Sequence, residues 1–179
     1  VLKLYSTIWL PYLKWISNGI MKVLELEKRS YSTLVLRLSR SVQKEKNQLK
    51  GLQEGQVLAG TLASETVIFI EHGIKFSANV IHGHKTGYFL DHRLNRKRVG
   101  ELASAKTVLD VFSYAGGFSV HALCGGAKEV VSVDISKQAL TLAEENAALN
   151  GNFKQKHTCI DGDAFKVMSD LIKERKTFD

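Results

Sequence analysis

The sequence predicts an α/β protein in two parts. A small α+β module comes first, and then the first half of a parallel sheet with helices on both faces. Three observations carry this reading. From about residue 100, short apolar runs alternate with helical stretches in a strand–helix–strand–helix–strand–helix order. Before that point, β-branched runs cluster around a glycine turn. The charge divides at the same place: residues 1–100 carry 16 Lys or Arg against 7 Asp or Glu, and residues 101–179 carry 9 against 11.

The elements follow in chain order. Val1 to Tyr5 alternates like the end of a strand, and Pro11 to about Lys28 reads as a helix weakened at Asn18-Gly19. Trp9, Tyr12 and Trp15 fall at helical spacing, which favours a packing face over a base-stacking platform. Thr33 to Leu38 is a β-branched strand, and Ser39 to Lys50 is a basic loop or surface helix. Gln56–Gly60 is a short strand. Thr66–Glu71 and Ile74–Ile81 flank His72-Gly73 as a hairpin. In the second part, Thr107–Phe112, Glu129–Asp134 and Lys156–Ile160 are strands. Helices are expected from Gly117 to about Cys124, from a Ser136 cap to Asn150 with Gly151 as the stop, and from Asp163 to about Glu174. The boundary between the parts lies near 85–105, giving domains 1–84 and 85–179.

Composition narrows the function classes. The chain has 179 residues, 44% apolar and 24% charged, with a net charge of +7. This length buries a core without disulfide staples. Two cysteines, Cys124 and Cys159, point to a reducing, cytoplasmic setting. No run reaches the roughly 18–20 apolar residues that cross a membrane, so no membrane partner is expected. The basic first part suits a phosphate backbone, although a solvated lysine-rich surface reads the same way.

The chemistry gathers where strands end. Ligands of doubly wound sheets sit at the carboxyl ends of the strands. The first strand runs into Asp110-Val-Phe-Ser-Tyr-Ala-Gly-Gly-Phe118, where Gly116 and Gly117 allow close backbone approach. This is neither G-x-G-x-x-G nor a P-loop. Asp134 ends the second strand, placed to accept hydrogen bonds from both hydroxyls of a ribose. Asp161-Gly162-Asp163-Ala164-Phe165 brings an acid and an aromatic ring toward an adenine. A ribose and an adenine, with a turn that cradles no pyrophosphate, point to S-adenosylmethionine.

The stretches DVFSYAGGFS (110–119), VSVDIS (131–136) and GDAF (162–165) resemble the class I methyltransferase core. More narrowly, with EHGIKF (71–76) and GHKTGYFLDHRLNR (83–96), the chain resembles the large-subunit ribosomal RNA methyltransferase I family, whose members make 5-methylcytosine. The resemblance covers roughly residues 30–179. It implies a truncated Rossmann-like core preceded by the α+β module, S-adenosylmethionine as cofactor and ribosomal RNA as partner. It also implies that Asp110, Phe112, Ser113, Tyr114, Gly116, Gly117 and Phe118 line the methionine side. Asp134 would hold the ribose with Ile135 and Ser136 beside it, and Asp163 and Ala164 would meet the adenine edge. Residues 1–5 would be the tail of the PUA domain that members carry. His92 stands where the family usually has Gln. An Asp-Pro-Pro motif and a catalytic cysteine would follow Asp179, so this piece is expected to carry no catalytic residue and to be inactive by itself.

Cytosine C5 methylation needs a thiolate. Cys124, beside Gly125-Gly126, and Cys159, next to Ile160, both read as buried packing residues. His82 and His84 would share a strand face, but with no third ligand in view no metal site is expected. Lys85, Thr86, Gly87, Asp91, Arg93 and Arg96 form either an RNA-facing loop over the active site or a solvated helix capped by Asp91. The family likeness favours the loop. A nicotinamide oxidoreductase and a non-enzymatic RNA-binding module are the alternatives. The oligomeric state is open, a homodimer being one option.

Overall fold

The computed structural model describes residues 33–35, 55–83 and 87–179. The expected strand at 1–5, the helix at 11–28 with its aromatic face, the segment 39–50, and His84, Lys85 and Thr86 lie outside the described residues. The chain divides into two compact units, Val1–Val67 with Ala78–Tyr88, and Ile68–Ser77 with Phe89–Asp179.

In the first unit, β1 (Thr33–Val35) pairs antiparallel with β2 (Val57–Gly60), with a register shift at Leu34/Val35. Asn79 organises the turn that follows in this unit. Its side-chain oxygen accepts from the backbone of Ile81 at 3.0 Å and of His82 at 2.6 Å. His82 therefore lies in a turn and not on the strand expected for it. Gly87 packs against the same residue: a Cβ there would lie 2.6 Å from the Asn79 carbonyl oxygen. The fold itself requires glycine at 87.

Strands β3 (Thr66–Glu71) and β4 (Ile74–Asn79) form the expected hairpin. Its turn residues His72 and Gly73 have φ of 51° and 85°, the left-handed pair that a two-residue hairpin turn favours. The hairpin tip, Ile68–Ser77, groups with the second unit.

After a short 3-10 turn at Leu90–His92, α1 spans Arg93–Leu102. The loop reading of this segment is thus corrected to a helix, and the expected Asp91 cap is absent. The N-cap is His92, without a side-chain cap bond. Arg96 is also corrected. It is 2% exposed, and its guanidinium grips Glu71 through two bonds of 2.7 Å and donates to the Phe89 carbonyl at 2.8 Å. His121 bonds the same carboxylate at 3.1 Å. A buried arginine held this way contacts no phosphate, because its donors are engaged inside the protein.

The sheet of the second unit is parallel, in the order β5 (Thr107–Val111), β6 (Glu129–Asp134), β7 (His157–Asp161). Asp110 aligns with Ser132, and Ser132 with Cys159. Helix α2 (Gly117–Cys124) follows β5, α3 (Lys137–Ala148) follows β6, and α4 (Ala164–Lys173) follows β7. Ser136 and Asp163 cap the last two helices, as their side-chain chemistry predicts. Helix α3 stops at Ala148, before the expected Gly151 stop. Asn150 there turns its amide onto both backbone groups of Lys75, at 2.8 Å each, and onto the Asn146 carbonyl.

Leu109, Val111, Val131, Val133 and Ile160 pack with Ala164, Val167 and Phe178 into an apolar core. At the end of the chain, Asp179 bonds both backbone groups of Thr107, on the β5 edge away from β6. In parallel α/β sheets of this kind ligands bind in the crevice beyond the carboxyl ends of the strands.

Candidate functional site

Three loops meet at those carboxyl ends: 112–116 after β5, 135–136 after β6 and 162–163 after β7. The first is held under backbone strain. Phe112 and Tyr114 adopt φ of 62° and 48°, which non-glycine residues enter only when their surroundings enforce it. The enforcing bonds are visible. Ser113 N–H donates to the Val133 carbonyl at 3.0 Å, and Tyr114 N–H donates to Asp134 Oδ2 at 2.8 Å. Asn146, buried on α3, donates to the Ala115 carbonyl at 2.9 Å while accepting from the Ser77 backbone and hydroxyl.

Two oriented carboxylates stand at this end of the sheet. Asp134 Oδ1 also accepts the Ser136 N–H at 2.9 Å. Each oxygen keeps a second lone pair for a ligand hydroxyl. Asp110 is half-buried, and its Oδ2 accepts both the Ser119 N–H at 3.1 Å and the Ser119 hydroxyl at 2.6 Å. Burial pushes its pKa above the usual aspartate value, against the pull of Ser119, and the Asp134 charge adds to the rise.

The apolar part is exposed. Phe112, Ile135 and Phe165 are 67%, 75% and 72% exposed, one from each loop or the helix after it. The rings of Phe112 and Phe165 meet edge-on, with centroids 6.4 Å apart. Phe118 is half-buried, with the His92 ring 6.1 Å away. The hydroxyl of Ser113 is buried without a hydrogen-bond partner among the described residues. A buried orphan hydroxyl is costly unless something completes it. Together these groups suit a molecule with a vicinal diol, a planar base and a polar tail.

Other expected site residues are already committed to the fold. Gly116 has φ of 71°, and a Cβ there would lie 2.7 Å from the Ala143 Cβ. Its bareness serves helix packing, where close approach to a ligand was expected. Gly117 is the first residue of α2. The Ser136 hydroxyl caps α3, and Asp163 Oδ1 caps α4 with two bonds. The Ala164 methyl lies in the core, so its side chain meets no adenine edge. Asp91 and Arg93 are exposed at the start of α1.

Cys124 is exposed as the last residue of α2, not buried as expected, because the buried run Ser119–Leu123 ends one residue before it. Cys159 is half-buried on β7, and burial with the nearby Glu144 pushes its thiol up to about 12. A thiol so shifted supplies no thiolate near neutral pH. No metal-binding cluster of His, Cys, Asp or Glu occurs among the described residues.

Asn146 went unnoticed at the sequence level. Its signal was an asparagine at an inward position of a helix, where it has low intrinsic preference. Glu71 and His121 went unnoticed too, because their partners are distant in sequence.

Comparison with known proteins agrees with this geometry. The family model of S-adenosylmethionine-dependent methyltransferases matches residues 23–177. A ribosomal RNA large subunit methyltransferase from Deinococcus radiodurans is 44% identical over 168 residues, covering 93% of this chain and 39% of that protein. Ribosomal RNA large subunit methyltransferase I from Aeromonas salmonicida is 44% identical over 131 residues, covering 73% and 33%. Among solved structures, a SAM-dependent methyltransferase from Agrobacterium tumefaciens superposes with a TM-score of 0.63 at 26% identity. It covers 72% of this chain and 43% of that one. The chain thus spans about 33–39% of the length of these two curated relatives. No helix among the described residues is long and apolar enough to cross a membrane. The nicotinamide alternative is not favoured. By its core, its strand order and these matches, the chain belongs to the S-adenosylmethionine-dependent methyltransferase family.

Proposed function

We propose that the full protein methylates a base of large-subunit ribosomal RNA in the cytoplasm, with cytosine C5 as the target atom. In this reading the present chain holds the cofactor. S-adenosylmethionine, when bound, supplies an electrophilic methyl on its sulfonium. The observation that carries the reading is the convergence of Asp110, Ser113 and Asp134 with exposed Phe112, Ile135 and Phe165 at one end of a parallel sheet.

Asp134 accepts the ribose hydroxyls, and Ile135 and Phe165 flank the adenine. Asp110 and the 112–118 loop, with the Ser113 hydroxyl, hold the methionine side. The Asp163 carboxylate, whose Oδ2 is not used by the α4 cap, and the backbone at Ala164 border the adenine edge. Neither Cys124 nor Cys159 fits the nucleophile, so the attacking thiolate belongs to another part of the full protein. Exposed Asp91 and Arg93 border the RNA, and the excess of basic residues among the first hundred suits its phosphates.

Calorimetric titration with S-adenosylmethionine tests the cofactor half. Micromolar binding that Asp134→Ala weakens at least about tenfold is expected, the equivalent of about 1.4 kcal/mol. Nucleoside mass spectrometry of ribosomal RNA treated with the full protein tests the rest, with new 5-methylcytidine expected. Salt-dependent RNA binding without cofactor binding would replace this reading with the non-enzymatic one.

A further inference from the structure

Between the cofactor end of β5 and a cavity at the amino end of β7 runs an unbroken line of polar atoms. Asp110 Oδ2 meets Ser119 Oγ at 2.6 Å, Ser119 Oγ meets Ser132 Oγ at 2.6 Å, and Ser132 Oγ meets His157 Nε2 at 2.8 Å. Ser119 and Ser132 are fully buried. His157 is half-buried and lines a cavity of about 640 Å³ with Glu144, Asn152, Phe153 and Lys154. Cys159 touches the same imidazole nitrogen at 3.7 Å.

Ser119 on α2 and Ser132 on β6 meet inside the buried interior. Here they form a chain with two consistent orientations. In one, His157 Nε2–H donates to Ser132, Ser132 to Ser119, and Ser119 to an ionised Asp110. In the other, a protonated Asp110 donates to Ser119, Ser119 to Ser132, and Ser132 to His157 Nε2, whose proton then sits on Nδ1. Passing from the first to the second moves the Nε2 proton along the line to Asp110 Oδ2, each serine giving up its own proton and taking its neighbour's, while Nδ1 takes one proton from water in the cavity. The second state carries that one proton more, and the return releases it to water.

We propose that this Ser119–Ser132–His157 chain is a positioning device that couples the ionisation of Asp110, and so cofactor binding, to the protonation state of His157 in the cavity. The proposal rests on the assignment of Asp110 to the cofactor site. The charged groups facing the two ends are Asp134 beside Asp110 and Glu144 beside His157. Burial lowers the His157 pKa while it raises that of Asp110, so the two ends stand closer in proton affinity than free side chains do. Cofactor binding favours the ionised carboxylate, hence the orientation with the proton on Nε2. By linkage, the His157 tautomer and cofactor affinity shift each other by the same factor.

The test is imidazole ¹⁵N NMR of the full protein, with and without S-adenosylmethionine, the His157 signal being identified by its loss in His157→Gln. In the natural protein, cofactor raises the Nε2–H to Nδ1–H ratio at least about fivefold, the lower range of known couplings. In Ser132→Ala, which cuts the line midway, cofactor still binds but the ratio no longer responds. Should Ser132→Ala fail to fold, Ser132→Cys, similar in size and a weak hydrogen bonder, replaces it. Cofactor binding with an unresponsive His157 in the natural protein overturns the coupling alone. A response that survives the Ser132 substitutions also overturns it. No cofactor binding by the natural protein overturns the cofactor-site assignment itself.

Discussion

The two faces of the parallel sheet differ in what their side chains do. One face presents Leu109, Val111, Val131, Val133 and Ile160 to α4 and closes a dry core. The other presents Asp110 and Ser132 to Ser119 on α2, with His157 beyond them. The alternation is simple pleat geometry: Asp110 sits between Leu109 and Val111, and Ser132 between Val131 and Val133. The apolar face contributes stability through area removed from water. The polar face contributes little area, but its oriented bonds hold the 112–116 loop and the two carboxylates in place. On the far side of α2, the polar interior continues into the Glu71–Arg96–His121 cluster.

That contrast can be broken most severely at Arg96. Arg96→Met leaves Glu71 buried without its main partner and is expected to cost about 3–5 kcal/mol in urea unfolding. A loss below about 1 kcal/mol would mean that the cluster is not structural.

The same cluster makes the protein sensitive to acid. Burial alone would raise the Glu71 carboxyl, but its bonds and charge contacts with Arg96 and His121 outweigh this and hold it below its ordinary 4.5. Burial holds His121 below its ordinary 6.5, against the pull of Glu71. Both groups bind fewer protons when folded than when unfolded, so stability rises with pH. The His121 contribution is full above about 6.5 and falls away as pH drops toward its lower folded value. That of Glu71 falls away below about 4.5. The urea midpoint should therefore decline from pH 7 to 5 and again below 4.5. A flat profile across that range would contradict the burial of both groups.

Neighbouring substitutions on β6 sharpen the comparison of faces. Val131→Ala, on the dry face, is expected to cost about 2 kcal/mol and leave the His157 response to cofactor intact. Ser132→Ala, on the polar face, is expected to cost about 1 kcal/mol and abolish that response. Equal behaviour of the two variants in the NMR titration would erase the functional distinction between the faces. The smallest effect belongs to a surface cap. Ser136→Ala should cost about 1 kcal/mol or less, because its hydroxyl accepts from Ala139 at 3.3 Å, a long bond.

Much of this was legible locally. The strands of the second unit fall within a residue of their expected bounds, because β-branched runs between turn signals leave little choice. Ser136 ahead of a helical stretch announced its cap, and DVFSYAGGFS announced the strand, turn and helix around the cofactor loop. Less was legible where local and family cues disagreed. Arg93 to Arg98 looked like a phosphate-facing basic loop, yet the segment is a helix that buries Arg96. Ala164 was read for a ligand, and the core claims its side chain.

The sequence by itself determined the alternating order of elements, the Ser136 cap and the carboxylates at strand ends. Each of these depends on neighbours within a few residues. Only the tertiary structure decided that Arg96 meets Glu71, that Gly116 yields to Ala143, and that Ser119, Ser132 and His157 form one line to Asp110. Those outcomes depend on which buried groups from distant segments must satisfy one another once water is excluded.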